Sequence, residues 1–109
     1  RLRAALVGRY RGHTVLTMPP PSSGGVHLLQ MLAMLERGPA SSTPASDVVG
    51  QTHRTIEIMR RAFADRAVFM GDPALVEMPI DGLLAAQYLE ARLATIDPRR
   101  ASSSREIGA

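Results

Sequence analysis

Ser22-Ser23-Gly24-Gly25-Val26-His27-Leu28-Leu29-Gln30-Met31-Leu32-Ala33-Met34-Leu35-Glu36-Arg37, closed by Gly38-Pro39, is the stretch that decides how this chain folds. The serines are placed to cap a helix, and Gly38-Pro39 is the usual order of C-terminal glycine and following proline. The spacing therefore predicts a helix from Gly24 to Arg37. Val26, Leu28, Leu29, Met31, Leu32, Ala33, Met34 and Leu35 leave it almost no polar face. A helix that is apolar all round is buried on all sides. The remaining residues predict one hairpin and two further helices, which can scarcely surround it. The expectation is an α+β segment, mostly helical, in which residues 1–109 form a partial domain of a larger body.

Toward the N-terminus, Met18-Pro19-Pro20-Pro21 stops any strand, because successive prolines lack N–H donors and bias the preceding residue toward extended geometry. Before it, Ala4–Val7 and Thr14–Met18 read as two extended runs joined by Gly8-Arg9-Tyr10-Arg11-Gly12, a β-hairpin. Toward the C-terminus, the loop Pro39–Pro44 gives way to a long helix capped by Ser46 or Thr43 and reaching Met70. Val49, Thr52, Ile56, Met59, Phe63, Ala67 and Met70 draw an apolar stripe along it. Opposite the stripe, Glu57, Arg61 and Asp65 form i,i+4 pairs of the kind that contribute tenths of a kcal/mol on an exposed face. Asp81 is placed to cap a last helix from Gly82 to Ile96, with Ala85, Leu89, Leu93 and Ile96 on one side. Residues 99–109 show no periodicity and are rich in small polar groups, as in a mobile tail.

Bulk composition removes several function classes. At 109 residues, 45% hydrophobic and 21% charged, the chain is an ordinary globular sequence. The net charge of +3 comes from 13 cations, all arginine, interspersed with 10 carboxylates along the whole length. A nucleic-acid face needs clustered positive charge and, for single strands, stacking aromatics; only Tyr10, Phe63, Phe69 and Tyr88 are available. With no cysteine there is no disulfide, thiolate metal site or cysteine nucleophile. No stretch approaches the ~20 apolar residues of a membrane helix, and the run at Ala4–Val7 is too short for a signal-peptide core. Any targeting segment is expected outside the chain.

The compact polar cluster is Pro19-Pro20-Pro21-Ser22-Ser23-Gly24-Gly25, a corner that delivers a helix N-terminus. Free N–H groups and glycines there suit an anion, or the glycines serve only close packing while the serines cap. The chain contains no lysine, so a phosphate loop is not supported. Serine hydrolysis would need a base and an orienting acid beside Ser22 or Ser23. His27 is near, yet no G-x-S-x-G elbow and no evident acid accompany it, and it reads as a satisfied polar residue of a packed helix. His13, His27 and His53 lie on separate elements without metal-ligand spacing. Met31, Met34, Met59, Met70 and Met78 read as gap-filling hydrophobes. Asp65-Arg66 and Gly71-Asp72-Pro73 look like helix-end polar contacts, with Asp65 and Asp72 the acidic candidates for a site. No metal, cofactor or catalytic set is assigned.

As strings, Gly8-Arg9-Tyr10-Arg11-Gly12, Met18–Leu32 and Leu35-Glu36 closely resemble the large-subunit portion of gamma-glutamyltranspeptidases. Arg60-Arg61-Ala62-Phe63-Ala64-Asp65-Arg66-Ala67 with Met70-Gly71-Asp72-Pro73 is similar to the same family at compatible spacing. The resemblance implies an N-terminal-nucleophile hydrolase with a four-layer αββα sandwich, made as a precursor that cleaves itself into two subunits. The new N-terminal Thr of the small subunit attacks the gamma-glutamyl amide of glutathione or a related donor, and water or an amine resolves the acyl-enzyme. No such Thr is present, so the chain alone is expected to be inactive. Its partners would be the rest of the large subunit, the small subunit and a small gamma-glutamyl substrate, with a second copy of itself covering the apolar helix if isolated. Ser22, Ser23, Gly24 and Gly25 keep only a structural role near the cleft, and a bacterial periplasm or secretion is the implied location. A cephalosporin or glutaryl acylase of the same superfamily, or a free-standing helical interaction module, are the alternatives.

Overall fold

The computed structural model describes residues 4–19, 24–37, 46–69 and 80–108. In chain order these form strands β1 (Leu6–Tyr10) and β2 (His13–Thr17), then helices α1 (Gly24–Leu35), α2 (Val48–Phe69), α3 (Ile80–Leu83) and α4 (Ala86–Ala94). The described part is mostly helical with an N-terminal hairpin, as the sequence predicts.

The hairpin is tighter than expected. The strands pair antiparallel from Leu6 opposite Thr17 to Tyr10 opposite His13, so Gly8, Arg9 and Tyr10 belong to the strand instead of the connection. Arg11 (φ 48°) and Gly12 (φ 82°) alone make the turn. Two successive positive φ angles match the right-handed twist of the flanking strands, which is why a two-residue turn replaces the predicted five-residue one.

α1 stops at Leu35, two residues before the predicted end, although Arg37 N still donates to Met34 O at 3.2 Å. Arg54 from α2 supplies the missing partners for its C-terminal carbonyls, donating to Leu35 O at 2.9 Å, Met34 O at 2.8 Å and Arg37 O at 2.6 Å. Among the described residues α1 is enclosed only in part, in line with a helix that one hairpin and two further helices can scarcely surround. Val26, Leu29 and Met34 are buried, but Leu28 is 40% exposed. The hairpin touches one side, with the Leu29 side chain lying over Gly8, and α2 and α4 take others; nothing described here covers the remaining side.

α2 is turned relative to the sequence reading. The predicted apolar stripe faces outward: Val49 is 81% exposed, Ile56 50% and Phe63 54%. The buried face is Arg54, Glu57, Ile58, Arg61, Ala62 and Asp65, a stripe with the same three- and four-residue steps. Periodicity alone does not say which stripe meets the neighbouring elements. Two stripes of similar regularity compete, and here the polar one is inside because its charges find partners there. The N-cap is also corrected: Asp47, not Ser46, accepts from Gly50 N at 2.9 Å, while Thr43 lies outside the described residues, as do Met70, Gly71 and Asp72.

The last predicted helix is split. Ala85 is extended (φ −66°, ψ 136°) and makes no side-chain cap. Asp81 sits inside the short α3 instead of capping it. The carbonyl of Leu83, which a continuous helix would give to residue 87, lies 3.4 Å from Gln30 Nε2 instead, and Leu83 itself is buried. Ala85 is exposed, whereas Leu89 joins Met34 and Ile58 in the core, flanked by Leu93 and Ile96.

Candidate functional site

Of the predicted corner, Ser22 and Ser23 lie outside the described residues, and Gly24 and Gly25 open α1. Gly25 is buried, and a Cβ there would stand 2.0 Å from Met18 O and 2.8 Å from Thr17 Oγ1. Real Cβ atoms do not approach backbone oxygen so closely, so the end of β2 and the first turn of α1 meet only if this residue is glycine. The corner opens on a groove of about 530 Å³ walled by Leu16, Met18 and Leu28 beside Gly24 and Gly25. The lining is mostly apolar; Thr17 Oγ1, at its edge, is buried without a hydrogen-bond partner among the described residues.

The polar chemistry is concentrated elsewhere, between α1, α2 and α4. Asp65 is fully buried and is a hub, not the helix-end contact predicted for it. One carboxylate oxygen accepts from Gln30 Nε2 at 2.6 Å and the other from the Tyr88 hydroxyl at 2.6 Å, with Arg92 Nη2 at 3.3 Å. On the far side of Gln30, its Oε1 lies 3.0 Å from His27 Nδ1. Because the amide nitrogen of Gln30 is committed to Asp65, its oxygen faces the imidazole, which makes Nδ1 the protonated nitrogen of His27. Burial, then the hydrogen bond to Asp65 and its negative charge, push the Tyr88 phenol up to about 12.

One turn back along α2, Glu57 and Arg61 form a second buried cluster. Arg61 donates from Nε to Thr95 Oγ1 at 2.8 Å, and from Nη2 to Thr95 O at 3.0 Å and Ser102 Oγ at 2.8 Å. Glu57 accepts from Ser102 N at 2.8 Å and from Arg60 Nη1 at 2.7 Å. Burial acts to raise the Glu57 carboxyl, but hydrogen bonds from Ser102 and Arg60 with the Arg60 charge outweigh it and hold the group at about 2. Burial draws the Arg61 guanidinium below its ordinary range, against the pull of Glu57.

These arrangements bind and orient protein groups and present no nucleophile with an adjacent base. His27 is buried on α1, His13 ends the hairpin turn, and His53 Nε2 lies 2.7 Å from Asp97 O; the structure does not bring the three together. Among the described residues no group of three or more His, Asp or Glu is placed to hold a metal. Sequence reasoning missed Gln30, Tyr88, Arg92 and Arg54. The one available signal was that Ile58 and Ala62 stand among Arg54, Arg61 and Asp65 on the second stripe of α2.

A family model described as gamma-glutamyltranspeptidase matches residues 1–108. A glutathione hydrolase proenzyme of Pseudomonas sp. (strain A14) is 41% identical over 98 residues, covering 90% of this chain and 17% of the relative. An acylase ACY 1 proenzyme of Pseudomonas sp. (strain SE83) is also 41% identical, over 104 residues, covering 94% of this chain and 18% of that protein. The crystal structure of Helicobacter pylori gamma-glutamyltranspeptidase superposes with a TM-score of 0.86 at 39% identity, over 96% of this chain and 30% of that one. The chain therefore spans under a fifth of these curated relatives. With nearly every residue inside the family match and the described fold superposing on a solved member, this chain belongs to the gamma-glutamyltranspeptidase family.

Proposed function

We propose that the complete protein transfers or hydrolyses the gamma-glutamyl group of glutathione and related donors, and that this chain is part of its large subunit. The observation that carries the reading is the family match over residues 1–108. In it, the precursor cleaves itself and the freed N-terminal Thr of the small subunit, a residue outside this chain, is the nucleophile, with its own α-amino group as base. The chain's part is architectural: it contributes helices to an αββα sandwich and brings the Ser22–Gly25 corner near the cleft. The rest of the large subunit, together with the small subunit, covers what stays exposed of the outward stripe of α2 and of the Leu28 side of α1, two apolar surfaces that the described residues leave largely open. The relatives named proenzymes favour a processed precursor, and the periplasm or the exterior of a bacterium is the compartment we assign.

A second reading, a cephalosporin or glutaryl acylase, is favoured by the equal identity to the acylase relative. Initial rates of the complete, processed protein on a gamma-glutamyl anilide and on a glutaryl amide separate the two. The proposal expects gamma-glutamyl release to dominate, with faster product formation when an amino-acid or dipeptide acceptor is added. Preference for the glutaryl substrate overturns it.

A further inference from the structure

We propose that residues 102–108 are a strap clamped onto α2, with Glu57 and Arg61 as its positioning residues. The inference rests on geometry alone and is independent of the proposed activity.

Both side chains are about 1% exposed. Taking two charges out of water costs several kcal/mol per ion unless nearly every donor and lone pair is filled. α2 by itself offers Arg61 only the Glu57 backbone oxygen at 3.0 Å and a long 3.5 Å contact to the Glu57 carboxylate. The other donors go to Thr95 and Ser102, and Glu57 in turn accepts the Ser102 N–H. The pair therefore stays dry only while the segment after α4 lies on it. By the same coupling the segment stays in place only while the pair is intact.

Contacts further along extend the grip. Arg60 Nη2 donates to Ser104 Oγ at 2.9 Å, and Arg92 Nη1 donates to the Gly108 carbonyl. Ile107 shares an apolar groove with Ile56, Met59 and Phe63. Within the strap, Glu106 N and Ile107 N both donate to Ser103 O, at 3.0 and 3.3 Å, forming one turn. A segment whose composition reads as a tail thus has polar partners at Ser102, Ser104 and Gly108 and an apolar one at Ile107. α2 and the residues after Thr95 then move as one body, so the direction in which the chain leaves Gly108 is set by α2.

Amide hydrogen exchange on the complete protein that contains this chain, read in peptides covering residues 95–109 and the hairpin, tests this. The expected result is slow exchange at Ser102, Glu106 and Ile107, and at least a tenfold loss of that protection in Glu57→Gln while the hairpin amides keep theirs. Because substituting a buried charge can loosen α2 itself, Ser102→Pro serves as the second variant. It deletes from the strap side both the N–H that Glu57 accepts and the hydroxyl oxygen that accepts from Arg61, without altering the sequence of α2, and it is expected to free Glu106 and Ile107 with helical circular dichroism retained. Exchange of these amides at the rate of an unstructured peptide in the native chain, the behaviour of a mobile tail, overturns the proposal. So does protection that neither variant changes.

Discussion

Asp65→Asn is the sharpest probe of the interior. The substitution preserves volume at a position with no solvent exposure but exchanges one carboxylate oxygen for an NH₂. If that NH₂ faces Gln30, two donors oppose each other; if it faces Tyr88, the phenol must turn from donor to acceptor. Either way one charge-assisted bond of ~1.5–3 kcal/mol is lost, and Arg92, only 12% exposed, loses its counter-ion. Breaking a fully buried pair costs ~3–5 kcal/mol, and the residual exposure of Arg92 reduces that share. The expected total is ~2–4 kcal/mol. With a urea slope of ~1.5 kcal/mol/M for a chain of this size, the unfolding midpoint falls by ~2 M at constant slope. Glu90→Gln is the control: the Arg37–Glu90 pair is 3.6 Å apart and 36% and 65% exposed, so its loss shifts stability by at most ~0.5 kcal/mol. Equal, small effects of the two substitutions in urea titrations followed by helical circular dichroism would refute the assignment of Asp65 as a hub.

Three further outcomes follow from the same geometry. Gly25→Ala drives a methyl group against the Met18 carbonyl, which cannot swing away, whereas Gly8→Ala meets only the mobile end of Leu29; the first is expected to lower the thermal midpoint distinctly more than the second, and the reverse order contradicts the close approach of β2 and α1. Arg11→Asn places a residue that tolerates positive φ in the first turn position, and is expected to stabilise by ~0.5 kcal/mol, read as a raised midpoint. Glu57 is held at about 2 against an ordinary 4.5. A lowered folded-state value gives stability that is complete above pH 4.5 and is lost as pH falls toward 2, amounting to ~3 kcal/mol at ~1.4 kcal/mol per tenfold. Glu57→Gln should remove that part of the acid sensitivity, and unfolding curves with identical pH dependence for both proteins would exclude it.

The hairpin, the start of α1 and the existence of α2 were legible in the sequence because local chemistry decides them: prolines that end a strand, glycines that open a helix, and a long three-and-four periodicity. What was not legible depends on partners distant in sequence. Arg54 reaches carbonyls 17 to 20 positions earlier, and Arg61 reaches Thr95 and Ser102, 34 and 41 positions later. Without those partners Glu57, Arg61 and Asp65 read as a solvated face, and the apolar side of α2 reads as the inner one. At the break before Ala85 the Leu83 carbonyl likewise meets a distant partner, Gln30, 53 positions earlier in the chain. Of the corner near the proposed cleft, the need for glycine at position 25 follows from the contact with Met18, a distance that no sequence pattern contains.

The most direct test of the account is gamma-glutamyl anilide turnover by purified residues 1–109 beside that of the complete processed protein. The account predicts hydrolysis by the complete protein and none above buffer by the 109 residues, since the nucleophile is assigned to another part of the polypeptide. Turnover by the 109 residues that vanishes when one of their own side chains is substituted would contradict it.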